Sequence, residues 1–282
     1  MRGKVVVITG ATSGIGQVAA ERLAGMGARL VLVGRDRVRG EATLSRVREC
    51  GPGLEHRAHY ADLSSMAETK RVAAEIVAAE PRVDVLINNA GAMFNDRRET
   101  PEGLERTFAL NHMSYFLITA LLRERLIAAA PARVINTASV AHRRGGAIDF
   151  DDLQSTRGYR GLPVYGRTKL CNILYTRELA RRLAGTGVTA NSLHPGFVAT
   201  RFGDESGGFF AYVVRAAKLV MAISPEKGAE TLVYLAASPE IATISGGYFY
   251  QNELARPTRE AQDDAAARRL WEASERLAGV SS

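Results

Sequence analysis

The chain has 282 residues, of which 46% are hydrophobic and 24% charged, a composition that excludes a disordered or fibrous protein. Its net charge of +7 comes from 37 basic and 30 acidic residues. Because the arginines are scattered through helical segments rather than clustered, we expect a solvated surface and no nucleic-acid binding.

Cysteine usage predicts an intracellular, metal-free protein. Cys50 and Cys171 are too few for a disulfide framework, and we expect reduced thiols in the cytoplasm. The histidines show no metal-ligand spacing with these cysteines. Met1 leads almost directly into the first predicted strand, and no apolar run reaches the roughly 20 residues of a spanning helix, so we expect no signal peptide, anchor or membrane span.

Strand-like and helix-like segments alternate along the chain, which predicts an α/β fold. We expect one Rossmann-type, doubly wound domain over residues 1–282, its sheet mostly parallel and covered by helices on both faces. The predicted strands are Lys4–Thr9, Arg29–Val33, His56–Tyr60, Val83–Asn88, Arg133–Ala138, Val188–Leu193 and Gly247–Tyr250. The predicted helices are Ile15–Met26, Arg35–Glu49, Ser64–Ala79, Glu102–Ala130, Val164–Ala184, Pro225–Ala236 and Arg259–Ala278.

A glycine-rich turn follows the first predicted strand and opens the first helix. Its glycines are Gly10, Gly14 and Gly16, in the sequence T-G-A-T-S-G-I-G. Glycine lets the chain turn tightly and lets backbone N–H groups approach a pyrophosphate at the helix N-terminus. A glycine turn without a ligand is the alternative, and the strand–turn–helix context favours nucleotide binding.

The end of the second strand bears on the choice of cofactor. An acidic residue there favours NAD, whereas an arginine binds the 2′-phosphate of NADP bidentately. Gly34 is followed by Arg35 and then Asp36, and we interpret Asp36 as the N-cap of the next helix. The prediction is NADP(H), with NAD as the alternative if Asp36 rather than Arg35 meets the ribose.

Polar residues follow the later strands as well. Asp62–Leu63 would border an adenine or cap the next helix, and Asn88–Gly91 would curl round a cofactor or form a simple turn. Ser139, after the fifth strand, is by itself more typical of a turn or cap. Asn111 disfavours the helix in which it lies, so it could bend that helix or anchor a water.

Tyr165 and Lys169 stand four residues apart in a predicted helix, which places them on one face. A cation beside a phenol favours the phenolate and lowers its pKa from about 10, which makes the tyrosine a usable proton donor or acceptor. The pair by itself also occurs by chance on many helices.

The motifs T-G-A-T-S-G-I-G, N-N-A-G, N-T-A-S, Y-G-R-T-K and H-P-G-F-V-A-T occur in the order seen in the short-chain dehydrogenase/reductase family. The chain resembles that family over nearly its whole length. The segments A-L-N-H-M-S-Y-F-L-I-T, D-F-D-D-L and T-K-L-C-N-I-L-Y-T-R-E-L-A-R-R-L resemble its retinol-dehydrogenase-like branch. The resemblance implies an oxidoreductase that interconverts an alcohol and a carbonyl compound.

The resemblance also implies a catalytic set. Tyr165 would exchange a proton with the substrate oxygen, and Ser139 would hydrogen-bond that oxygen. Lys169 would lower the pKa of Tyr165 and hold the nicotinamide ribose, and Asn111 would place a water on a proton path. The implied cofactor-binding residues are Gly10, Thr12, Ser13, Gly14, Ile15, Gly16, Arg35, Asp62, Leu63, Asn89, Ala90, Gly91, Tyr165, Lys169, Pro195, Gly196, Val198 and Thr200.

Two departures from the family pattern concern the catalytic residues. Ala138 stands where the family usually has the first of two serines, while Ser139 keeps the matched catalytic position. Ser139 and Tyr165 are 26 residues apart, so the insert His142–Pro163 must loop out and return Tyr165 to the site. Inserts of this kind occur in the retinol-dehydrogenase-like branch.

An apolar segment at 207–223 lies where family members carry a substrate lid, within a predicted lid region of about 201–223. A core helix and an interfacial helix are alternatives. The lid interpretation predicts a lipophilic alcohol, aldehyde or ketone as substrate, and NADPH as cofactor favours carbonyl reduction.

We expect a homo-oligomer, as is common in the family. The non-enzyme alternative is a cofactor sensor or scaffold that has lost turnover. The presence of all four implied catalytic residues argues against it.

Overall fold

A computed structural model describes residues 1–196 and 223–280 of the chain. Within these ranges one sheet contains β1 Val5–Thr9, β2 Arg29–Gly34, β3 Arg57–Tyr60, β4 Val85–Asn88, β5 Ala132–Thr137, β6 Val188–Leu193, β7 Tyr248–Tyr250 and β8 Glu253–Leu254. The spatial order is β3-β2-β1-β4-β5-β6-β7-β8. Neighbouring strands are parallel except β7 and β8, which are antiparallel. Strand β8 was not predicted from the sequence. The predicted α/β fold with a mostly parallel sheet is confirmed.

Helices cover both faces of the sheet. They are α1 Gly14–Gly25, α2 Arg37–Cys50, α3 Met66–Ala79, α4 Arg106–Phe108, α5 Ser114–Ile127, α6 Gly161–Arg182, α7 Pro225–Ala237 and α8 Asp264–Ala278. One apolar cluster joins the sheet to α3, α5, α6 and α8. The other joins it to α1, α2 and α7. The helices on both faces agree with the doubly wound architecture that the alternating segments predict.

Strand β1 shows why this sequence forms a covered parallel sheet. All five of its residues are buried. Val5 and Val7 belong to one apolar cluster, whereas Val6 and Ile8 belong to the other, because successive side chains of a strand point to opposite faces. A continuous apolar run is therefore what a strand buried on both faces requires.

The prediction of one continuous helix over Glu102–Ala130 was wrong: its first turn is not helical, and the rest is interrupted. Residues 102–105 are not helical, because the Glu105 carboxylate accepts hydrogen bonds from the N–H groups of Thr107 (2.7 Å) and Phe108 (2.8 Å) and so caps α4. Between α4 and α5 lies a π-helical segment, Ala109–Met113, which contains Asn111. The expected irregularity at Asn111 is therefore present.

Two other predicted helices begin later than expected. Asp36 accepts a hydrogen bond from the N–H of Arg39 (3.0 Å), so α2 begins at Arg37 and the predicted N-cap is confirmed. In the predicted helix Arg259–Ala278, a short 3-10 turn precedes α8, whose N-cap is Asp263. In both cases a carboxylate satisfies the first N–H groups of the helix and sets its start.

A buried polar ladder ties the sheet to α6. The amide of Asn88 donates to Asn136 Oδ1 (2.9 Å), and the amide of Asn136 donates to the hydroxyl of Thr176 (2.9 Å). These three residues are fully buried. Because unpaired buried polar groups are costly, the ladder fixes the position of α6, which carries Tyr165 and Lys169, against β4 and β5.

We expect Thr176→Val to lower the free energy of unfolding by about 1–3 kcal/mol, because it leaves the Asn136 amide buried without its acceptor. Thr189→Val is the matched control, since the Thr189 hydroxyl has no hydrogen-bond partner among the described residues; we expect a change within about 0.5 kcal/mol. Chemical denaturation followed by circular dichroism measures both. Equal losses in the two variants would contradict the role of the ladder.

Candidate active site

The carboxyl ends of β1 and β4 form one side of the candidate site. These strands are neighbours in the sheet although β2 and β3 separate them in sequence, so this is the topological switch point at which ligands bind in such sheets. The Thr9 hydroxyl accepts from the N–H groups of Asn89 (2.9 Å) and Ala90 (3.1 Å), and the Asn89 amide donates to the carbonyl of Gly10 (3.2 Å). The segment that begins at Asn89 is thereby held against the glycine-rich turn.

The glycines of this turn are required by close backbone contacts. Gly10 has φ +67°, and a Cβ there would lie 2.8 Å from the Cα of Ala90. A Cβ on Gly16 would lie 2.4 Å from the carbonyl oxygen of Gly10. Gly14 has φ +57° at the start of α1. The chain can therefore turn under the N-terminus of α1 only with glycine at these positions.

The N-terminus of α1 suits a phosphate group. Ser13 is its N-cap residue but makes no side-chain capping hydrogen bond, whereas Asp36 caps α2 and Ser65 caps α3. The first turn of α1 contains no acidic residue. A helix N-terminus with uncapped N–H groups favours an anion, so the pyrophosphate of a dinucleotide fits here. Ile15 packs into the core, which leaves its backbone to face a ligand.

The end of β2 lies beside the same turn. Gly34 is packed against Thr12, whose methyl group would be 2.4 Å from a Cβ at this position. Arg35 follows and is exposed. The carboxylate of Asp36 is engaged by Arg39, through its N–H (3.0 Å) and its Nε (2.9 Å), and these bonds lower the pKa of Asp36. Asp36 therefore serves as the N-cap of α2, and the binding of a ribose phosphate by Arg35 stays a prediction.

The predicted adenine border at Asp62–Leu63 has a local structural role. The Asp62 carboxylate accepts from the N–H (3.0 Å) and the hydroxyl (2.7 Å) of Ser64. The Leu63 side chain is buried in the core. The N-cap of α3 is Ser65, so Asp62 shapes the turn before the helix rather than capping it.

Ser139 and Tyr165 meet at the end of β5. Ser139 follows the strand and is half-buried, and its hydroxyl accepts from the N–H of Ala141 (3.1 Å). Tyr165 is buried in α6, and its phenol shares a hydrogen bond with the Ser139 hydroxyl. The insert between these residues thus returns the tyrosine to the serine, as the resemblance implies.

The ionisation of Tyr165 differs from the expectation based on spacing. Burial raises the pKa of Tyr165, and the hydrogen bond from Ser139 only partly opposes that rise. The Lys169 Nζ lies 5.7 Å from the centre of the Tyr165 ring and donates to the carbonyl of Thr137 at 2.9 Å. The expected lowering of the tyrosine pKa by the lysine was therefore wrong for this structure.

Lys169 is itself strongly perturbed. Its side chain is 2% exposed, and burial lowers the pKa of Lys169 to about 7. Near neutral pH the amine is thus close to half protonated, which suits a group that passes a proton. The carbonyl of Thr137 holds its Nζ, and the amide of Asn172 donates to the same oxygen at 3.2 Å. Sequence reasoning missed Thr137 and Asn172, because a backbone carbonyl leaves no motif.

Asn111 lies behind Lys169 and is fully buried. Its amide nitrogen donates to the carbonyl of Ala92 (2.9 Å) and to the hydroxyl of Thr168 (3.0 Å), and its Oδ1 accepts from the N–H of Ala92 (2.9 Å). A Cβ on Gly91 would lie 3.0 Å from Asn111 Oδ1 and 3.3 Å from Lys169 Nζ. The segment after β4 therefore reaches the catalytic residues predicted from the resemblance.

Two glycines that the sequence analysis did not single out bring Ser139 to Tyr165. A Cβ on Gly166 would lie 2.5 Å from the carbonyl oxygen of Ala141, and one on Gly145 would lie 2.5 Å from the N–H nitrogen of Arg167. The turn that follows Ser139 thus contacts α6 backbone to backbone. Gly166 is the glycine of the motif Y-G-R-T-K, and this was the one signal in the sequence that could have indicated the close contact.

The segment after β6 is described only in part. Pro195 and Gly196 are half-buried, and the Gly196 N–H donates to His194 Nδ1 (3.3 Å). His194 stacks on Tyr250 at 4.1 Å, and burial lowers its pKa to about 4, in agreement with a structural histidine. Val198, Thr200 and the predicted lid up to residue 222 lie outside the described residues.

No cluster of metal ligands occurs among residues 1–196 and 223–280. None of the helices in these ranges combines the length and the apolar character that crossing a bilayer requires.

Comparison with known proteins places these features in one family. Residues 4–207 match the sequence model of the short chain dehydrogenases. Human retinol dehydrogenase 13 is 42% identical over 99% of this chain and 85% of its own length, and human retinol dehydrogenase 14 is 39% identical over 99% and 88%.

Solved structures of similar proteins share the fold of this chain. An uncharacterized protein from Mycobacterium Paratuberculosis superposes with a TM-score of 0.79 and 29% identity, over 99% of this chain and 94% of that one. The Pseudomonas aeruginosa RhlG/NADP complex superposes with a TM-score of 0.70 and 29% identity, over 88% and 94%.

We expect Gly166→Ala to lower kcat about 10- to 100-fold, because the new methyl group pushes the Ser139 turn away from α6 and separates Ser139 from Tyr165. Gly25→Ala in α1 is the matched control: its Cβ would meet only the carbonyl oxygen of Cys50, at an ordinary 3.8 Å. Carbonyl reduction by the purified, folded variants measures the effect. Full activity of Gly166→Ala would show that this backbone contact does not align the two hydroxyls.

Proposed function

The chain belongs to the short-chain dehydrogenase/reductase family, and from this premise we propose that it is an NADP(H)-dependent enzyme that interconverts a lipophilic alcohol and its aldehyde or ketone. Family and relatives make it an oxidoreductase of the retinol-dehydrogenase-like branch, acting on CH–OH donors with NAD(P). The observation that carries the proposal is the buried Tyr165 phenol, hydrogen-bonded to Ser139 and one helical turn from Lys169.

The proposed chemistry assigns the proton to Tyr165. A bound NADPH supplies the hydride to the carbonyl carbon. The Tyr165 hydroxyl donates its proton to the oxygen on which negative charge develops, and the Ser139 hydroxyl donates a hydrogen bond to that oxygen. Because burial raises the pKa of Tyr165, the phenol is protonated at neutral pH, which is the form needed for carbonyl reduction.

Lys169 and Asn111 would return a proton to Tyr165. The pKa of Lys169, lowered to about 7 by burial, lets the amine exchange protons at neutral pH. The amide nitrogen of Asn111 donates to two acceptors, while its Oδ1 accepts from the N–H of Ala92 and has a second lone pair for a water. We propose that this water links the amine to solvent.

The choice of NADP(H) rests on the end of β2. A carboxylate at this position would repel a 2′-phosphate, but the Asp36 carboxylate is turned toward Arg39. The guanidinium of Arg35, which precedes this cap and is exposed, would bind the phosphate with the geometry that phosphate groups favour. Two similar solved proteins were crystallised with NADP or NADPH, at 29% and 27% identity.

The lipophilic substrate is inferred from the relatives, which are named for retinol, and from the apolar sequence at 207–223. A cytoplasmic location and a homo-oligomer remain predictions.

We expect Tyr165→Phe to lower the rate of carbonyl reduction about 10²- to 10⁴-fold, because the proton donor is lost while the ring is kept. The measurement is NADPH oxidation with a panel of retinal, aliphatic aldehydes, aromatic ketones and steroids, and the best substrate of the native protein is then used for the variants. Tyr234→Phe, which removes a hydroxyl bonded to Glu240 on the surface of α7, is the control. An unchanged rate in folded Tyr165→Phe would rule out the proposed acid, and no turnover of any carbonyl by the native protein would favour the silent sensor.

We expect Arg35→Ala to weaken NADPH binding about 10- to 100-fold and to leave NADH binding within about twofold, because a charge-assisted bond to the 2′-phosphate is lost. Arg48→Ala, at the exposed far end of α2, removes the same charge and is the control for long-range electrostatics. Fluorescence titration with each cofactor gives the dissociation constants. Tighter binding of NADH by the native protein, or equal losses for both cofactors, would favour the NAD-dependent alternative.

A further inference from the structure

His142 connects the catalytic serine to the C-terminal part of the chain. It lies on the 3-10 turn Val140–Arg144 that follows Ser139, and its side chain is 2% exposed. Its Nδ1 is 2.7 Å from the carbonyl oxygen of Ser139, and its Nε2 is 3.3 Å from the backbone nitrogen of Thr258. The ring therefore spans two backbone groups that are 119 positions apart, from 139 to 258.

The two partners define the protonation of this ring. The Ser139 carbonyl can only accept a hydrogen bond, and the Thr258 N–H can only donate one. His142 must therefore be neutral, with its proton on Nδ1 and a lone pair on Nε2. A doubly protonated ring would direct an N–H at the N–H of Thr258. Burial lowers the pKa of His142, which agrees with the neutral form.

The groups that face His142 also favour this state. Its ring packs edge-on against Tyr248 at 5.4 Å, and Tyr248 stacks with His194 at 5.7 Å. Arg143 lowers the pKa of His142 and Glu260 raises it, so these two charges oppose one another. Burial lowers the pKa of His194 to about 4, which keeps this neighbour neutral as well.

The carbonyl that His142 holds belongs to Ser139 itself, next to the Cα that carries the hydroxyl. Ser139 is extended (φ −160°, ψ 153°) and begins the 3-10 turn. Its carbonyl accepts from the backbone N–H of His142 at 3.1 Å and from the imidazole at 2.7 Å. With the ring bond removed, only the weaker backbone bond of a single turn would fix this carbonyl.

We propose that His142 is a positioning residue of the reaction: the N–H of Thr258 holds the ring neutral with its proton on Nδ1, and this proton bonds the Ser139 carbonyl and so aims the serine hydroxyl at Tyr165. This inference rests on the proposed function, because it assigns no contact between His142 and the substrate or cofactor. It adds to the catalytic set a residue that acts through Ser139.

Three substitutions separate the two bonds of the ring. His142→Phe removes both but keeps an aromatic ring to pack on Tyr248. His142→Asn places an amide N–H at the same distance from Cβ as Nδ1, so it restores the bond to Ser139 alone. His142→Gln places its amide at the distance of Nε2 and can serve Thr258 alone.

We expect kcat to fall about 10- to 100-fold in His142→Phe and His142→Gln and to stay within about threefold in His142→Asn. The dissociation constant for NADPH should not change in any of them, since His142 lies outside the cofactor-binding residues.

The rescue by His142→Asn provides a readout that a purely structural role would not give. This variant loses the ring that packs on Tyr248 and keeps only the donor to the Ser139 carbonyl, so native-like kcat in it assigns the effect to that hydrogen bond.

Native-like kcat in folded His142→Phe would overturn the inference, and so would equal losses in all three variants. If His142→Phe does not fold, the contrast between His142→Asn and His142→Gln still decides. Failure here is distinct from failure of the proposed function: an inactive Tyr165→Phe together with a fully active His142→Phe leaves the chemistry standing and removes only the positioning role.

Discussion

The carbonyl oxygen of Thr137, the last residue of β5, holds α6 over the end of the sheet. It accepts from the Lys169 amine at 2.9 Å and from the Asn172 amide at 3.2 Å. Two residues further on is Ser139, so the same strand end presents the serine hydroxyl and fixes the lysine. If this carbonyl were turned, a buried amine would lose its acceptor and the Tyr165–Ser139 contact would lose its support.

Backbone atoms, rather than additional side chains, define most of this site. Gly166 and Gly145 allow the serine turn to touch α6 directly, and Gly10 and Gly16 do the same for the turn beneath α1. Backbone positions shift less than long side chains do, which favours a fixed geometry. The turn that carries Ser139 is thus held against α6 in part by backbone contacts, which contain no rotatable side-chain bond.

The sequence allowed the sheet, its helical covering and the cap at Asp36 to be predicted, because apolar runs, strand–helix alternation and capping residues are local signals. The start of α4 was missed, since a glutamate is an uncommon cap and only its coordinates reveal the bonds from Glu105. Spacing put Tyr165 and Lys169 on one face but could not show their burial. That burial, and not their proximity, controls both pKa values.

Contacts between distant parts of the chain were the least predictable. Gly166 meets Ala141 across a loop, and His142 meets Thr258 from another element, so no local pattern marks either pair. The resemblance to a family supplied the four catalytic candidates but not the groups that hold them, because motifs record side chains and these anchors are peptide groups.

The bond between His142 and Thr258 has a consequence for the order in which the protein matures on the ribosome. Synthesis proceeds from the N-terminus, and the strands that form the nucleotide turn are complete long before residue 258 is added. While the polypeptide emerges, the serine turn therefore lacks the N–H group that keeps the proton of His142 on Nδ1. That group is added only in the last tenth of translation, after every residue of the nucleotide turn.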